Sequence, residues 1–382
     1  MSKMPAPVLP ALIPQQRAKA KTVSKTASPL PIAIVGLGFG TWVVRSLEKP
    51  EQKQRFNIVA LCDLNAPLAS SLAAEIGCRT ASFEEILADT EIPVVGIFTG
   101  PAGRADLVRR AIRAGKHVMT TKPFERDPAA ARDVLEEAAR LGRLVHINSP
   151  TPELPPDLAR IQKWQKTHSL GAPLAAHFSC YARYEEEADG KWLDDPRLCP
   201  AAPIFRLGIY LINDAIRIFG EPEEVYVMTS RLFTKRPTPD HAQLSIRFQS
   251  GALATIFASF CVEDGDSYRN EMTLNFERGT IYRNAGPEGR SGAFTRLALV
   301  QKDNNASKIV EDELLSSGSG EYDWEVFHRS IVHEIPVPHD YPSIVAAGLR
   351  VVEAMAESEL TGQPTKVSPD RTPLSKFECI TA

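Results

Sequence analysis

The chain has 382 residues, of which 43% are hydrophobic and 24% are charged, and its net charge at pH 7 is −3. This length corresponds to about two to three domains of ordinary size, and the composition excludes a chain that is disordered throughout. The small net charge argues against a surface that binds nucleic acid or anionic lipid. No apolar run in the sequence approaches the roughly 20 residues that span a bilayer, so we expect neither nucleic-acid nor membrane partners.

The N-terminal segment, residues 1–30, differs in composition from the rest of the sequence. It contains five prolines, five basic residues and no acidic residue. It lacks the continuous apolar core of a secretory signal peptide. Two interpretations remain open: a disordered tail, or an arm that packs on a neighbouring subunit.

Cysteine and histidine are used sparingly. Six cysteines are scattered without a Cys-x-x-Cys pair, and the eight histidines show no spacing typical of metal ligands. In a long sequence without a secretory signal, this usage favours reduced thiols in the cytoplasm. We therefore expect a cytoplasmic protein with no metal site.

Between residues 31 and 149, strand-like and helix-like segments alternate. The predicted strands are Ile32–Val35, Phe56–Cys62, Val94–Phe98, His117–Met119 and Leu144–Ile147. The predicted helices are Trp42–Leu47, Ala66–Ile76, Arg104–Ala114 and Pro128–Leu141. Such alternation predicts an α/β domain at 31–149 with a doubly wound parallel sheet.

After about Ser149 the pattern changes to strand-like alternation. Two pairs of strand-like runs flank the turn signals Ser250-Gly251 and Arg278-Gly279, which indicate hairpins. A long helical stretch, Tyr341–Leu360, follows near the end of the sequence. We expect a second, α+β domain at 150–382 with a predominantly antiparallel, open sheet.

A glycine-rich turn follows the first predicted strand directly. Such a turn lets backbone N–H groups approach a pyrophosphate at the positive end of a helix. Gly36 and Gly38 fit the first two glycines of the dinucleotide fingerprint, whereas Thr41 occupies the third position. The predicted cofactor contacts in the turn are Gly36, Leu37, Gly38, Phe39, Gly40 and Thr41.

Asp63 ends the second predicted strand, where an acidic residue typically binds the hydroxyls of the adenosine ribose. A carboxylate at this point repels a 2′-phosphate, and the next residue, Leu64, offers no cation. NAD is therefore favoured as the cofactor, and NADP remains the less favoured alternative.

Residues 115–123, Gly-Lys-His-Val-Met-Thr-Thr-Lys-Pro, are the most specific stretch of the sequence. They resemble the Gly-Lys-His-Val-x-x-Glu-Lys-Pro segment of the Gfo/Idh/MocA family, which includes glucose–fructose oxidoreductase and inositol dehydrogenase. Val94–Pro101 resembles the family's strand ending in Thr-x-Pro, and Leu207–Pro222 resembles its Asp-x-Gly-x-His/Tyr motif. The resemblance covers residues 31–366 and implies a fold with a Rossmann domain and a sheet domain.

The resemblance also implies roles for individual residues. Lys122 is expected between nicotinamide and substrate, and Tyr210 at the general acid–base position, with both acting as the catalytic pair. Thr99, Pro101, Thr121 and Lys122 are implied as further cofactor contacts. A cation near a phenol lowers the pKa of the phenol from about 10, so Lys122 is expected to activate Tyr210. The family also predicts a cis peptide bond before Pro123.

The substrate half departs from the family pattern at Arg206, which replaces an aspartate one helical turn before Tyr210. We assign Arg206 and Asn213 to substrate binding. An unpaired arginine would favour an anionic substrate, such as a sugar acid, a keto acid or a phosphorylated compound. The alternative is that Arg206 forms an ion pair with a nearby acid, such as Asp194 or Asp195, and merely closes the pocket.

Two functions remain open after these observations. The first is an NAD(P)-dependent oxidoreductase that transfers hydride between nicotinamide and a sugar, sugar acid or cyclitol-like substrate. The second is a catalytically divergent sensor or regulator that keeps the dinucleotide fold. The resemblance further implies a homodimer or homotetramer assembled through the C-terminal sheet.

Overall fold

The structure is a computed structural model that describes residues 28–184, 186–263, 268–286, 294–304, 306–316, 318 and 320–369. The predicted tail or arm at 1–30 therefore lies almost entirely outside the described residues. The same is true of residues 370–382 of the second predicted domain. Within the described ranges, none of the helices combines the length and the apolar character needed to span a membrane.

A parallel sheet of six strands forms the first half of the molecule. Its strands are β1 (Leu30–Val35), β2 (Phe56–Cys62), β3 (Arg79–Thr80), β4 (Val94–Ile97), β5 (His117–Thr120) and β6 (Val145–Ile147). Their order is β3-β2-β1-β4-β5-β6, and every neighbouring pair is parallel. This is the strand order of doubly wound dinucleotide-binding folds, so the predicted sheet is confirmed.

Six helices follow or separate these strands. They are α1 (Leu37–Leu47), α2 (Pro50–Lys53), α3 (Ala66–Ile76), α4 (Phe83–Ala88), α5 (Arg104–Arg113) and α6 (Pro128–Arg140). Helix α1 begins five residues before the predicted Trp42, because only Gly36 in the glycine-rich turn has a positive φ, +85°. The remaining residues of that turn are helical, and their N–H groups belong to the first turn of α1.

A second, nine-stranded sheet forms the other half. Its strands are β7 (Pro173–Tyr181), β8 (Pro222–Ser230), β9 (His241–Phe248), β10 (Leu253–Ser259), β11 (Arg269–Phe276), β12 (Gly279–Arg283), β13 (Thr295–Asp303), β14 (Ala306–Leu315) and β15 (Thr365–Lys366). The order is β14-β13-β12-β11-β7-β10-β9-β8-β15. All neighbouring pairs are antiparallel except β7 and β10. The predominantly antiparallel sheet is thus confirmed, with one parallel pair at its centre.

Four further helices, α7 (Pro156–Thr167), α8 (Ile209–Phe219), α9 (Trp324–Val332) and α10 (Tyr341–Thr361), complete the described fold. A π-helical turn, Ile204–Gly208, leads directly into α8. Helix α9 returns to the first sheet, where Trp324 and Phe327 pack in one core cluster with Phe56. The segment that precedes α9 consequently lies beside the first sheet.

Candidate functional site

A cleft of about 1480 Å³ is lined by the loops that follow β1, β2, β4 and β5 and by residues of the second sheet's half. Ligands of doubly wound folds bind at this carboxyl edge of the strands. The predicted site residues that line it are Gly36, Gly38, Phe39, Asp63, Thr99, Pro101, Thr121, Lys122, Arg206 and Tyr210. Leu37, Gly40, Thr41 and Asn213, by contrast, are not among the lining residues.

The phosphate-loop glycines have distinct surroundings. A Cβ atom on Gly36 would lie 2.9 Å from the carbonyl carbon of Phe98 and 2.9 Å from the amide nitrogen of Thr99. At Gly38 a Cβ would meet nothing within 4 Å, so the space in front of this residue is open. Gly36 therefore permits close packing of the turn on β4, while Gly38 leaves room for a ligand.

The predicted loop residues that do not line the cleft shape the turn. A Cβ on Gly40 would lie 3.4 Å from Ile34 Cγ2, so this glycine keeps α1 close to the sheet. Thr41 Oγ1 donates to the Leu37 carbonyl, 2.5 Å away. The Leu37 N–H donates to Asp63 Oδ2 at 2.5 Å.

Asp63 holds the loop and also faces the cleft. One oxygen accepts from Leu37 N–H, and the other accepts from Asn65 N–H at 2.7 Å. Each carboxylate oxygen has a second lone pair, so Asp63 can still accept a hydrogen bond from a ribose hydroxyl. Leu64 beside it is fully exposed and brings no cation.

Lys122 lies at the junction of the two halves. The Lys122-Pro123 peptide bond is cis, as the family resemblance implies. The Lys122 N–H donates to Asn148 Oδ1 at 3.0 Å, and its Nζ donates to the backbone carbonyl of Arg206. Nζ also lies 4.5 Å from the centroid of the Tyr210 ring. The two residues predicted as a catalytic pair are therefore in direct contact.

Tyr210 is the second residue of α8 and presents its hydroxyl to Asn148. Asn148 Nδ2 donates to the Tyr210 hydroxyl and to the Gly320 carbonyl, both at 3.1 Å. Gly320 packs directly on the Tyr210 ring. A Cβ at this position would lie 2.8 Å from Tyr210 Cδ1, so a larger residue does not fit. The Tyr210 oxygen thus accepts a hydrogen bond from Asn148, and its own proton is available to a group in the cleft.

The pKa of Tyr210 shifts in the direction opposite to the one expected from the sequence. Burial raises the pKa of Tyr210 above its ordinary value, and the hydrogen bond from Asn148 only partly opposes this. Burial also lowers the pKa of Lys122 to about 7, with a further contribution from the charges of Arg206 and Arg104. The sequence analysis expected Lys122 to lower the pKa of Tyr210. In the structure, Tyr210 stays protonated and Lys122 is the group that titrates near neutrality.

Arg206 forms an ion pair, but its partner is neither Asp194 nor Asp195. Its guanidinium donates to both oxygens of Glu186, at 2.7 and 2.9 Å. It also lies against the rings of Tyr184 and Phe260, 4.9 and 4.8 Å from their centroids. Burial opposes ionisation of Glu186, yet the Arg206 guanidinium overrides it and lowers the pKa of that carboxyl. The interpretation of Arg206 as an unpaired cation is therefore wrong, and the structure shows the alternative, an ion pair with a nearby acid.

Asn213 is placed away from the cleft, although the sequence analysis assigned it to substrate binding. Its side chain is buried, and Nδ2 donates to Ser149 Oγ at 3.0 Å. A Cβ on Gly348 of α10 would lie 2.3 Å from its Oδ1. One helical turn separates Asn213 from Tyr210, but these contacts place it between α8 and α10.

The structure adds residues that the sequence analysis did not single out. Asn148 directly follows β6 and so lies at the carboxyl edge of the sheet. Its position after a predicted strand could have indicated it as a site residue. Tyr322 comes from the segment before α9; its hydroxyl donates to Thr121 Oγ1 at 2.5 Å, and its ring lies 5.9 Å from that of Phe39. Contacts over such long sequence separations leave no local signal.

One group of potential metal ligands lies outside the cleft, at Asp240, His241 and Cys261. The Asp240 oxygens already accept from the backbone N–H groups of Leu232, Phe233 and Thr234. Burial, with the charge of Asp240, raises the pKa of Cys261 to about 11, which disfavours the thiolate that metals bind. These contacts describe an anchor for the 231–234 loop.

The residues present fit a nicotinamide dinucleotide. The turn at Gly36 admits no side chain, Gly38 leaves open space, and the helix that follows directs its N-terminus at that space. Asp63 lies at the end of β2 for the ribose, and Thr99, Thr121 and Lys122 line the continuation of the same cleft. The fold and this cleft define a dinucleotide-binding oxidoreductase.

Family models agree with that class. Residues 30–149 match the NAD-binding Rossmann-fold model of the oxidoreductase family GFO/IDH/MocA, and residues 158–282 match the family's C-terminal domain model. The protein therefore belongs to the Gfo/Idh/MocA family of oxidoreductases.

Individual relatives are distant. The protein is 27% identical over 329 residues to D-xylose 1-dehydrogenase (NADP(+)) 2 of Haloferax volcanii. This match covers 84% of this chain and 94% of the relative. It is 22% identical over 210 residues to inositol 2-dehydrogenase/D-chiro-inositol 3-dehydrogenase of Lactiplantibacillus plantarum, covering 53% and 58%. A match at 27% identity to an uncharacterized oxidoreductase of Schizosaccharomyces pombe covers 55% of this chain and only 57% of that relative.

Solved structures show the same fold. Levoglucosan dehydrogenase in complex with NADH and L-sorbose superposes with a TM-score of 0.69 at 16% identity, covering 90% of this chain and 100% of that one. An oxidoreductase domain protein from Kribbella flavida gives a TM-score of 0.70 at 16% identity with the same coverage.

Proposed function

We propose that this protein is an NAD-dependent oxidoreductase that transfers hydride between nicotinamide and a carbohydrate-like hydroxyl or carbonyl group, with Lys122 and Tyr210 as its acid–base pair. The observation that carries the proposal is the contact between the Lys122 amine and the Tyr210 ring at 4.5 Å. This contact lies in the cleft that also contains the phosphate loop. A regulator that kept the dinucleotide site alone would have no need of it.

The nicotinamide would supply or accept the hydride, and the protein's task is to manage the accompanying proton. In the oxidation direction the substrate hydroxyl must lose a proton while its C–H bond breaks. A neutral Lys122 amine can accept that proton, because its pKa is about 7. Tyr210, whose pKa is raised, stays protonated and donates a hydrogen bond to the same oxygen, and the protonated Lys122 amine returns the proton in the reverse reaction.

Two arginines that line the cleft are already paired with carboxylates, which favours a neutral substrate. Arg206 is already bound in bidentate fashion by Glu186. Arg283, which also lines the cleft, donates to Asp157 at 2.9 Å and to Asp214 at 2.7 Å. An anionic substrate would have to displace these carboxylates. Of the substrate classes open from the sequence, we therefore favour a neutral sugar or cyclitol over a sugar acid. The similarity to sugar and inositol dehydrogenases supports this choice.

NAD remains the proposed cofactor on the strength of Asp63. The carboxylate lines the cleft at the end of β2, and the exposed Leu64 beside it offers no charge to a 2′-phosphate. One relative is named as NADP-dependent, so the two cofactors need a direct comparison. Asp63→Ala should weaken binding of NAD much more than binding of NADP.

The test is a panel of neutral sugars, sugar acids and cyclitols, assayed with NAD and NADP by the absorbance of the reduced nicotinamide. We expect turnover with at least one neutral polyol, lost in Lys122→Met and strongly reduced in Tyr210→Phe. Tight nucleotide binding without turnover of any member would instead favour a sensor of the same fold. Failure to bind either nucleotide would contradict both functions.

We further propose that the protein is a homo-oligomer that assembles through the outer face of the second sheet. On this face β8 exposes Met228 and β10 exposes Leu253, with 55% and 54% of their surfaces accessible. Light scattering, repeated with both residues replaced by lysine, tests the assembly.

A cytoplasmic location is also proposed, since the cysteines in the described ranges are free thiols.

A further inference from the structure

Arg104 is buried in the wall of the cleft and holds the turn that carries Lys122. Although it lines the cleft, only 2% of its surface is exposed. One terminal nitrogen donates to the carbonyls of Thr121 at 2.6 Å, Pro123 at 2.5 Å and Phe124 at 3.2 Å. The other donates to the carbonyl of Thr99. These partners are all neutral backbone oxygens.

Arg104 keeps its charge in this position. Burial lowers its pKa to about 10, so the guanidinium remains protonated at neutral pH. Glu125 is the acid nearest in the sequence to these contacts, but it accepts from the N–H groups of Gly103, Ala105 and Arg126. Within the described ranges, no carboxylate is hydrogen-bonded to the Arg104 guanidinium. The charge of Glu125 therefore acts on Arg104 through space, where it raises the pKa of the guanidinium, and not through a direct ion pair.

The charge lies where the nicotinamide is expected. Thr99 and Thr121, whose carbonyls Arg104 binds, both line the cleft beside Lys122. The family resemblance implies that Lys122 lies between nicotinamide and substrate and that Thr99 and Thr121 are cofactor contacts. The positive field there also acts on Lys122, whose pKa is lowered by burial and by the charges of Arg206 and Arg104.

We propose that Arg104 sets the preference of the cleft for the redox state of the nucleotide. The nicotinamide ring carries a positive charge in NAD⁺ and none in NADH, so a buried guanidinium nearby disfavours only the oxidised form. The site should consequently bind NADH more tightly than NAD⁺, with Arg104 as the specificity-determining residue. This inference rests on the proposed function, because it requires that nicotinamide binds beside Lys122.

Binding measurements test this inference without a known substrate. NADH is titrated by its fluorescence, and NAD⁺ by displacement of NADH, at one low ionic strength. Arg104→Met removes the charge, Arg104→Lys retains it with fewer donors, and Arg113→Met is the control. Arg113 lies at the exposed far end of the same helix, where it pairs with Glu137. The control changes the net charge by the same amount without touching the cleft.

We expect the wild-type protein to bind NADH at least about tenfold more tightly than NAD⁺, since unscreened charges interact strongly in a partly buried site. Arg104→Met should reduce this ratio by about tenfold, whereas Arg104→Lys and Arg113→Met should retain it. An unchanged ratio in Arg104→Met would overturn the inference. If Arg104→Met does not fold, two other measurements test the inference. Equal affinities of the wild-type protein for NADH and NAD⁺ would overturn it, and so would loss of the preference for NADH in Arg104→Lys. If wild-type protein binds neither nucleotide, the proposed function itself fails.

Discussion

The side-chain amide of Asn148 donates to the hydroxyl of Tyr210 at 3.1 Å, and this bond connects the two halves of the molecule at the candidate site. Asn148 is fully buried, and its Oδ1 accepts from the Lys122 N–H. Its amide group also bonds to the Gly320 carbonyl in the segment before α9. One side chain thereby fixes the backbone of Lys122, the hydroxyl of Tyr210 and the segment that packs on the Tyr210 ring.

The first prediction concerns Asn148. Asn148→Ala removes three hydrogen bonds and should lower kcat by about 10- to 100-fold, because misplacement of an acid–base pair is costly. Nucleotide affinity should change much less, since Asn148 does not line the cleft. Steady-state kinetics and NADH titration measure the two effects. Asn213→Ala is the matched comparison, a buried asparagine bonded to Ser149. Equal losses of kcat in both variants would contradict a specific role for Asn148.

The second prediction separates the two phosphate-loop glycines. Gly38→Ala should weaken NADH binding by about tenfold or more while leaving the melting temperature unchanged, because its Cβ enters open space that the pyrophosphate needs. Gly36→Ala should lower both the affinity for NADH and the melting temperature, since its Cβ would lie 2.9 Å from backbone atoms of Phe98 and Thr99. Thermal unfolding and NADH titration of both variants provide the comparison. A Gly38→Ala protein with normal affinity would exclude this loop as the phosphate site.

Local sequence signals predicted the parallel sheet with good accuracy. The strand Phe56–Cys62 and the helix Ala66–Ile76 have the predicted bounds. In both cases the apolar pattern and the flanking residues are local: Asn65 caps the helix and Gly77 ends it with a positive φ. The helices α7 and α9 and the strands β13 and β14 were not predicted. Much of β14 is exposed, so its apolar alternation is weak.

The site was predictable where a motif is contiguous and unpredictable where it depends on tertiary packing. Lys122 and Tyr210 are brought together as the resemblance implies. The partner of Arg206 is Glu186, which comes from the loop after β7 and has no fixed spacing to it. The direction of the pKa shifts at Lys122 and Tyr210 depends on burial, which spacing in the sequence does not reveal.

The third prediction is the pH dependence of oxidation. A lysine with a lowered pKa is charged below that value and neutral above it, so Lys122 becomes able to accept a proton as the pH rises through about 7. For a neutral substrate, kcat/KM for oxidation should therefore rise with pH through about 7 and then level off. In Arg206→Met, loss of a nearby cation should move the rise to higher pH. A rise centred at about 10, the ordinary pKa of lysine, would contradict the lowered pKa of Lys122 on which this prediction depends.

The last prediction concerns the pair Arg206 and Glu186. In the wild-type protein the Arg206 guanidinium donates hydrogen bonds to both oxygens of Glu186 and is not available to a second carboxylate. Neutral sugars should therefore be preferred over the corresponding sugar acids. Glu186→Gln removes the negative charge, keeps the shape and leaves the Arg206 guanidinium with an unneutralised charge in the cleft. A carboxylate ligand can then take the place of Glu186 in a bidentate contact, which should improve affinity for the sugar acid by about tenfold or more.

Competitive binding of a matched sugar and sugar acid, measured by calorimetry in the presence of NADH, gives the preference of each variant. Asp195→Asn is the appropriate control, because Asp195 pairs with the exposed Arg197 and lies outside the lining of the cleft. This control should behave as the wild-type protein does. If the wild-type protein already prefers the sugar acid, then Arg206 recognises anions despite Glu186, and the neutral substrate class proposed above is wrong. If Glu186→Gln leaves the preference unchanged, Arg206 does not contact the substrate, and the residues that select it lie elsewhere in the cleft.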